Sequence, residues 1–232
     1  MSLLTLVKDV CYEVGIAPPS TVINNEDDDA LRLLAMFNTE GKRLMRRYAW
    51  QELLTEGSFT TVATEDQGVL ATITGADDID RIISDTVWNR DTQREQELEA
   101  SAGWQANAAR GTTGLRFNFR LRGNHILINP SPTAGQEVFF EYVSSAWVEA
   151  EDGTRKGAFT ADSDSTVLDE DILKLGVKWR FRAAIGADFA ADIQEYKEQL
   201  MLRFGADTPK KTIHMGSSGL RDKIGVVIAR AV

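Results

Sequence analysis

Residues 115–129 read LRFNFRLRGNHILIN, and this pattern decides the fold class of the middle of the chain. Apolar and polar residues alternate strictly in its first half, which is typical of a strand with one buried face. Gly123-Asn124 is a natural two-residue hairpin turn, and His125–Asn129 would form the returning strand. The apolar members of the first strand are Leu115, Phe117, Phe119 and Leu121, and the polar members are Arg116, Asn118, Arg120 and Arg122. The stretch predicts an antiparallel hairpin.

Short β segments flank this hairpin on both sides. The predicted strands are residues 57–63, 69–74 and 136–148. Residues 92–109 are polar and rich in alanine, and they predict a surface helix that contains Trp104. Residues 50–150 are therefore predicted to be mainly antiparallel β structure.

Two helices are predicted before the β region. Residues 3–14 have apolar side chains at helical spacing, with Ser2 as N-cap and Gly15 as terminator. A second helix runs to about Tyr48 and begins at Asn24 or Asn25 as its cap. Its acidic first turn and basic last turns complement the helix dipole.

Two more helices are predicted after the β region. Asp169 caps the third helix and Gly186 ends it, and Asp188 caps the fourth. The predicted apolar stripe of the third helix is Leu168, Ile172, Leu175, Trp179 and Ala183. That of the fourth is Phe189, Ile193, Tyr196, Leu200 and Phe204.

The order of these elements predicts an α+β fold. Residues 1–49 and 167–204 would form an up-down bundle of about four helices. Residues 50–166 would be an inserted, mainly β domain. Residues 205–232 would be an extended C-terminal arm, because they are rich in glycine and poor in core anchors.

Composition and charge exclude several function classes. The chain has 232 residues, with 35 acidic against 26 basic side chains and a net charge of -9. This acidic balance argues against tight binding of nucleic acid phosphates. One cysteine and two histidines leave too few ligands for a Cys-rich zinc site or most histidine chemistry. No apolar run approaches the roughly 20 residues of a membrane helix. We expect a protein that folds in a reducing cytosol.

The acidic and cysteine side chains match no catalytic, metal or cofactor motif. A calcium loop that starts at Asp162 would have Val167 and Leu173 where glycine and glutamate belong, so acids such as Asp164 and Asp169 fit helix capping better. Two carboxylates beside a cleft would suffice for a glycoside hydrolase, and this alternative stays open. Gly216–Gly219 lacks the Lys-Ser/Thr of a nucleotide loop. We interpret Cys11 as a packed thiol.

Basic side chains supply the candidate contact residues. Lys42, Arg43, Arg46 and Arg47 are the one candidate nucleic-acid surface, with a subunit contact or a dipole complement as alternatives. Arg116, Arg120 and Arg122 form a second basic strip that could meet the acidic surface of another subunit. Trp104 is a candidate for burial in an interface. Trp50 and Trp147 are predicted to pack in the core.

Two long segments resemble a known family. LLTLVKDVCYEVGIAPPSTV with LLAMFNTEGKRLMRRYAWQELLTEGSFTTVA is similar to the start of podovirus-type phage head-to-tail adaptors. FFEYVSSAWV followed by FTADSDSTVLDEDILKLGVKWRFRAAIGADFAADIQEYKEQL is similar to their second half. The resemblance covers about residues 1–204 and is a pattern of packing and cap residues without a catalytic signature.

The resemblance implies a structural protein, also called a tail accessory or tail tubular protein. Such adaptors form a ring of twelve copies between the portal and the tail nozzle, and genome DNA passes through without specific binding. It implies a virion protein at the head-tail junction, made in the host cytoplasm, without catalytic residues or cofactors. Portal docking would fall to the arm, whose candidate residues are Lys210, Lys211, Arg221, Lys223, Ile224, Val226 and Ile228. The alternatives are a carboxylate-based cell-wall hydrolase and a DNA-binding module that uses Lys42–Arg47.

Overall fold

The computed structural model describes residues 1–110 and 117–207 and has a mixed α+β fold. The helices of this part are α1 (Leu3–Val14), α2 (Asp28–Arg47), α3 (Leu70–Thr74), α4 (Ser101–Arg110), α5 (Glu170–Ala184) and α6 (Ala190–Asp207). Its strands are β1 (Leu54–Thr60), β2 (Asp66–Val69), β3 (Ile79–Ile82), β4 (Trp88–Asn89), β5 (Arg94–Leu98), β6 (Phe117–Arg122), β7 (His125–Asn129), β8 (Glu137–Ser144), β9 (Val148–Glu149), β10 (Arg155–Lys156) and β11 (Ser165–Thr166).

The described residues divide into two compact units. The helical unit contains residues 1–53 and 145–207, and the β unit contains residues 54–144. The β unit therefore interrupts the helical unit in the sequence. No helix of the described residues is long and apolar enough to cross a membrane.

Helix α5 is the centre of the helical unit, because it packs against α1, α2 and α6. Local signals in the sequence set the helix ends. The Asp169 carboxylate accepts hydrogen bonds from the backbone amides of Asp171 and Ile172 at the start of α5. Gly15 ends α1 in the left-handed conformation at φ 78°, and Asp188 caps α6 through the amide of Ala190. These predicted signals are confirmed.

The core of the helical unit includes an indole packed on a helix backbone. Trp147 is fully buried, and its Nε1 donates to the carbonyl of Gly157 at 3.0 Å. Its ring lies so close to Gly41 of α2 that a Cβ there would clash with it. Phe159 packs edge-on against Trp147, with ring centroids 5.1 Å apart. Trp50 is also buried and donates to the Leu44 carbonyl, so the predicted core packing of Trp50 and Trp147 is confirmed.

The β unit is built on an eight-stranded sheet in the order β1-β8-β4-β5-β6-β7-β2, with β3 also paired to β8. The pairings are antiparallel except for β5 with β6, which is parallel. Helix α3 packs against β1 and β2, the strands at the two ends of the sheet. The core of the unit contains Phe59, Val87, Phe119, Ile126, Ile128, Val138, Phe140 and Tyr142.

The predicted β6–β7 hairpin is confirmed. Gly123 and Asn124 both have positive φ, at 58° and 64°, as a type I′ turn requires. Phe119 is in the core, whereas Leu121 is partly exposed. Leu115 and Arg116 lie outside the described residues.

Three sequence expectations about local structure are wrong. Residues 70–74 form helix α3 instead of a strand, because Leu70 and Ile73 reach the core at helical spacing. Within 92–109 the chain first forms β5 and only then α4. Asp27, not Asn24 or Asn25, caps α2 by accepting from the Asp29 amide, and the Asn25 side chain accepts from the Asp27 amide instead.

The buried face of α5 also differs from the apolar stripe predicted for this helix. The buried residues of α5 are Ile172, Leu173, Gly176, Val177 and Phe181. Leu175 and Trp179 are only half-buried, and Phe189 before α6 is 38% exposed. The reason is that α5 contacts three helices, so its buried face is wider than one stripe and is centred on Val177.

Candidate interaction surfaces

The basic side chains near the end of α2 form an exposed surface. Leu33, Phe37 and Leu44 turn the opposite face of the helix into the core. Lys42, Arg43, Arg46 and Arg47 are all exposed, and together we call them the basic face. Within the described residues, no salt bridge at 4.0 Å or less involves Lys42, Arg43 or Arg47. The structure thus brings the predicted contact residues together on one exposed helix end.

The β unit has a surface of opposite charge on the outer side of its sheet. In the β1–β8 register Glu56 lies directly opposite Glu141, and both are exposed. Phe139 and Glu137 follow on the same side of β8, since side chains alternate along a strand. Trp88 of β4 is the cross-strand partner of Phe139 and is 43% exposed. We call Glu56, Trp88, Glu137, Phe139 and Glu141 the acidic face.

One arginine already binds at this surface. The Arg90 guanidinium lies over the Phe139 ring, 3.5 Å from its centroid, and donates to the Glu56 carboxylate at 2.5 Å. Stacking of a guanidinium on an aromatic face combined with a carboxylate pair is a recurrent way to bind arginine. Within the described residues, no ion pair involves the side chain of Glu137 or Glu141. The acidic face therefore keeps two free carboxylates beside two aromatic rings.

The helical unit is held together by an ion-pair row on α5. Lys174 and Lys178 stand four residues apart, and the carboxylate of Glu13 on α1 lies 2.7 Å from the Lys178 ammonium. Asp192 of α6 is buried and binds Arg182 at 2.8 Å and Lys178 at 3.4 Å. The hydrogen bond to Glu13 raises the pKa of Lys178 despite its burial. These ion pairs lie within the helical unit, so the basic side chains of α5 that form them are not available to bind another molecule.

A second internal group joins α2, α5 and α6. Glu40 is fully buried, and the Arg180 guanidinium lies 2.6 Å from its carboxylate. The Tyr196 hydroxyl donates to Glu40 Oε1 at 2.6 Å. Burial and the neighbouring Glu40 charge raise the pKa of Tyr196 to about 12. The side chain of Glu40 also occupies the space that a Cβ at Gly176 would need.

The acids at 162 and 164, where a calcium loop would begin, have structural roles. The Asp164 carboxylate is buried and accepts from the Lys156 ammonium and from the amides of Thr160 and Ala161. These bonds outweigh the effect of burial and lower the pKa of Asp164. Asp162 accepts from the amides of Val22 and Ile23. Across residues 1–110 and 117–207, no three His, Cys, Asp or Glu side chains are grouped as a metal site would need.

The described part of the chain contains an open cleft of about 380 Å³ in the β unit, between α3 and the β6–β7 turn. Asp77 and Asp80 line it together with Arg81 and Arg122, and apolar Val69 and Leu121 lie at its wall. This mixed charge gives no preference for one class of ligand. Nearby, the exposed His125 hydrogen-bonds Asp66 at 3.0 Å and thereby lowers the pKa of that carboxyl.

The other predicted contact residues have different outcomes. Trp104 is 2% exposed within this single chain, so its predicted burial in an interface is wrong. Arg120 and Arg122 lie on β6, and Arg120 donates to the Ser101 hydroxyl. The predicted docking residues of the arm lie outside the described residues: Lys210, Lys211, Arg221, Lys223, Ile224, Val226 and Ile228.

Sequence reasoning missed the acidic face. Its members come from β1, β4 and β8, and only strand register brings Glu56 opposite Glu141. The available signal was the alternation in Glu137–Ser144, where Glu137, Phe139 and Glu141 share one side of the strand.

A comparison with known protein families decides the family. The model of the SU10 adaptor protein family matches residues 1–213. The chain belongs to this family. SU10 adaptor proteins are a family of phage head-to-tail adaptors, so the resemblance seen in the sequence is confirmed. A search of the curated proteins gives no match to the chain.

Proposed function

We propose that the chain is the structural adaptor that joins the portal of a phage head to the tail nozzle, as one subunit of a twelvefold ring. The observation that carries this proposal is the family match over residues 1–213. The two exposed charged faces support it, because a ring needs different surfaces of one subunit to meet. The ring would sit in the virion at the head-tail junction, after synthesis in the host cytoplasm.

In this ring the four long helices would stand as an up-down bundle and the β unit as an inserted domain. The ring would continue the channel through which genome DNA leaves the head. An acidic chain suits that task, because like charge keeps DNA phosphates from binding to the channel wall.

The C-terminal arm, predicted from the sequence to begin at residue 205, is the proposed portal-docking element. Because α6 runs to Asp207, the proposed element is residues 208–232. Its sequence is basic within an acidic chain, and IGVVI at 224–228 is apolar and rich in β-branched residues. Fully extended, these 25 residues reach roughly 80–90 Å at about 3.3–3.6 Å each. The segment 224–228 could add as a strand to a partner sheet.

Mass measurement of the protein alone and with purified portal protein tests the adaptor proposal. We expect a largely monomeric chain that becomes a twelvefold ring on the portal. A chain that does not bind the portal would contradict the proposal. Deletion of residues 208–232 should leave the melting temperature almost unchanged but weaken portal binding, and undiminished binding would refute the docking role of the arm.

A purely structural role is part of the proposal. It predicts that the protein does not turn over peptidoglycan and that acid-to-amide exchanges leave this result unchanged. It also predicts weak DNA binding at physiological salt, whereas a module that grips DNA through the basic face would give a gel shift that falls steeply with salt.

A further inference from the structure

The acidic face contains an electrostatic conflict. Glu56 and Glu141 lie directly opposite each other across β1 and β8, where like charges destabilise a sheet. Arg90 binds Glu56, but no ion pair of the described residues reaches Glu141 or Glu137. A basic side chain from another molecule would reduce the repulsion that remains between these carboxylates after Arg90 has bound Glu56.

The aromatic side chains of the acidic face indicate which cation fits. Trp88 is 43% exposed and stands beside Phe139, over which Arg90 already lies at 3.5 Å. Tryptophan and arginine are the residues that most often dominate binding energy at interfaces. A second guanidinium could stack on the indole and reach a carboxylate, as Arg90 does on the neighbouring ring.

The chain itself contains a matching surface. The basic face of α2 offers Lys42, Arg43 and Arg47, which are exposed and have no salt bridge within the described residues. Arg46 is exposed on the same helix end. Lys42 and Arg46 are four residues apart, as are Arg43 and Arg47, so each pair stacks along the helix about 6 Å apart at 1.5 Å per residue. Glu137 and Glu141 are about 13 Å apart at about 3.3 Å per residue. Long basic side chains on both sides of one helix can span that distance while an arginine between them covers Trp88.

We propose that the acidic face of one copy binds the basic face of a second copy. The contact is heterologous, because it joins different surfaces of two identical chains, and such contacts form a ring when the rotation between neighbours closes. This inference rests on the proposed adaptor function and names the surfaces that would join its neighbouring subunits.

Charge reversal in full-length chains tests the pairing. The first variant carries Glu137→Lys with Glu141→Lys, and the second carries Lys42→Glu with Arg43→Glu. Each alone places like charges across the contact, so self-association in low salt should weaken by at least about tenfold. Sedimentation equilibrium at high protein concentration measures this association.

Two further measurements are decisive, because each asks whether self-association is restored. An equal mixture of the two variants should associate again, because each charged surface then meets its opposite on the other chain. All four substitutions in one chain should also restore association. Matched controls are Glu195→Lys with Glu198→Lys and Lys8→Glu with Lys197→Glu, which change the net charge equally and should leave association unchanged.

Several results would overturn the inference. Single variants that associate like the wild type, or a failure of both recoveries, show that the two faces do not meet. The free chain is expected to be largely monomeric at the low concentration of a mass measurement, and weak self-association should become measurable at high concentration in low salt. Wild-type copies that show no such association at the highest concentration reached contradict the inference as well. If the variant with Lys42→Glu and Arg43→Glu loses DNA binding but still self-associates, the basic face binds DNA and not a second copy.

Carbodiimide coupling gives an independent readout. It joins a lysine to a carboxylate in direct contact, so mass spectrometry of mixed light and heavy-isotope chains should find Lys42 linked to Glu137 or Glu141 of another copy. Absence of such links in assembled protein contradicts the inference. If the chain binds the portal but forms no such links, the proposed adaptor function stands and the proposed contact between copies is refuted. If the links form but the chain does not bind the portal, the contact stands and the adaptor function is refuted.

Discussion

At Tyr196 a single hydroxyl group completes the buried polar group of the helical unit. Glu40 is fully buried, so its charge needs both the Arg180 guanidinium and the Tyr196 hydroxyl. Removing one partner from such a group costs more than the bond itself, because the remaining charge stays buried without compensation.

Tyr196→Phe should therefore lower the free energy of unfolding by about 1–3 kcal/mol. The change removes the bond to Glu40 Oε1 but keeps the ring that packs against Trp179. Chemical denaturation followed by circular dichroism measures the effect. The matched control is Tyr12→Phe, because Tyr12 is 68% exposed and its change should be within experimental error. Equal effects of both substitutions would contradict the assigned role of Glu40.

Residue-level signals that act locally were predictable from the sequence. The caps at Ser2, Asp169 and Asp188 depend on groups two or three residues away, and the sequence shows them directly. The α2 cap was misplaced because Asn25 and Asp27 both have good cap side chains, and Asn25 instead bonds the Asp27 amide. Glu40 was not predictable, since its partners lie 140 and 156 residues away in sequence.

On the scale of elements, contact between α2 and the segment after β8 depends on one missing side chain. Gly41→Ala should destabilise the protein by about 1–3 kcal/mol, because the new methyl group meets the rigid Trp147 ring. Thermal and denaturant unfolding measure this loss. The control is Gly205→Ala in α6, where a Cβ meets nothing within 4 Å and alanine should stabilise by up to about 1 kcal/mol. A neutral Gly41→Ala would mean that the indole can move aside.

The observed buried face of α5 predicts a definite order of mutational costs. Phe181→Ala should cost about 3–5 kcal/mol, as for a fully buried aromatic residue. Trp179→Ala should cost only about 1–2 kcal/mol, because the half-buried indole keeps partial contact with solvent while touching Phe189 and Tyr196. Denaturation of both variants measures the order. A larger loss for Trp179→Ala would restore the stripe expected from the sequence.

Element types were partly predictable and element contacts were not. The β6–β7 hairpin was predictable because alternation and Gly123-Asn124 agree. The prediction of a strand at residues 70–74 was wrong because the apolar spacing within five residues does not separate a strand from a helical turn. The acidic face could not be predicted, since β1 and β8 are far apart in sequence and their register is set by packing.

On the scale of the whole molecule, each unit has one buried tyrosine beside a carboxylate. Burial, and then the charge of Asp78, raise the pKa of Tyr142 in the β unit to about 12, the same value as for Tyr196 in the helical unit. An unfolded tyrosine has a pKa near 10. Both units therefore release these protons more readily when unfolded.

Stability should fall as the pH rises from about 10 to about 12 and be unaffected by these groups below pH 10. Over that range the unfolded chain loses tyrosine protons that the folded chain retains, so unfolding becomes more favourable. Denaturation at a series of alkaline pH values measures the fall. Tyr142→Phe and Tyr196→Phe should each remove part of it, and Tyr12→Phe should not. A pH dependence unchanged in both buried variants would contradict the raised pKa values.

Family membership was predictable because it rests on a long pattern of packing and cap residues that the sequence shows directly. The family match over residues 1–213 confirms that prediction. The acidic face, by contrast, depends on how β1, β4 and β8 bring distant side chains together, which the sequence pattern alone does not reveal.

Cys11 gives the protein a built-in reporter group. It is the only cysteine of the chain, it is fully buried in α1, and burial together with the charges of Asp29 and Asp27 raises the pKa of its thiol. A maleimide or disulfide reagent needs an accessible thiolate, so it should react only when α1 moves away from the helical core. The rate of labelling would then measure how often the helical unit opens, because the single thiol lies in that unit and the β unit contributes no signal. No engineered probe is needed.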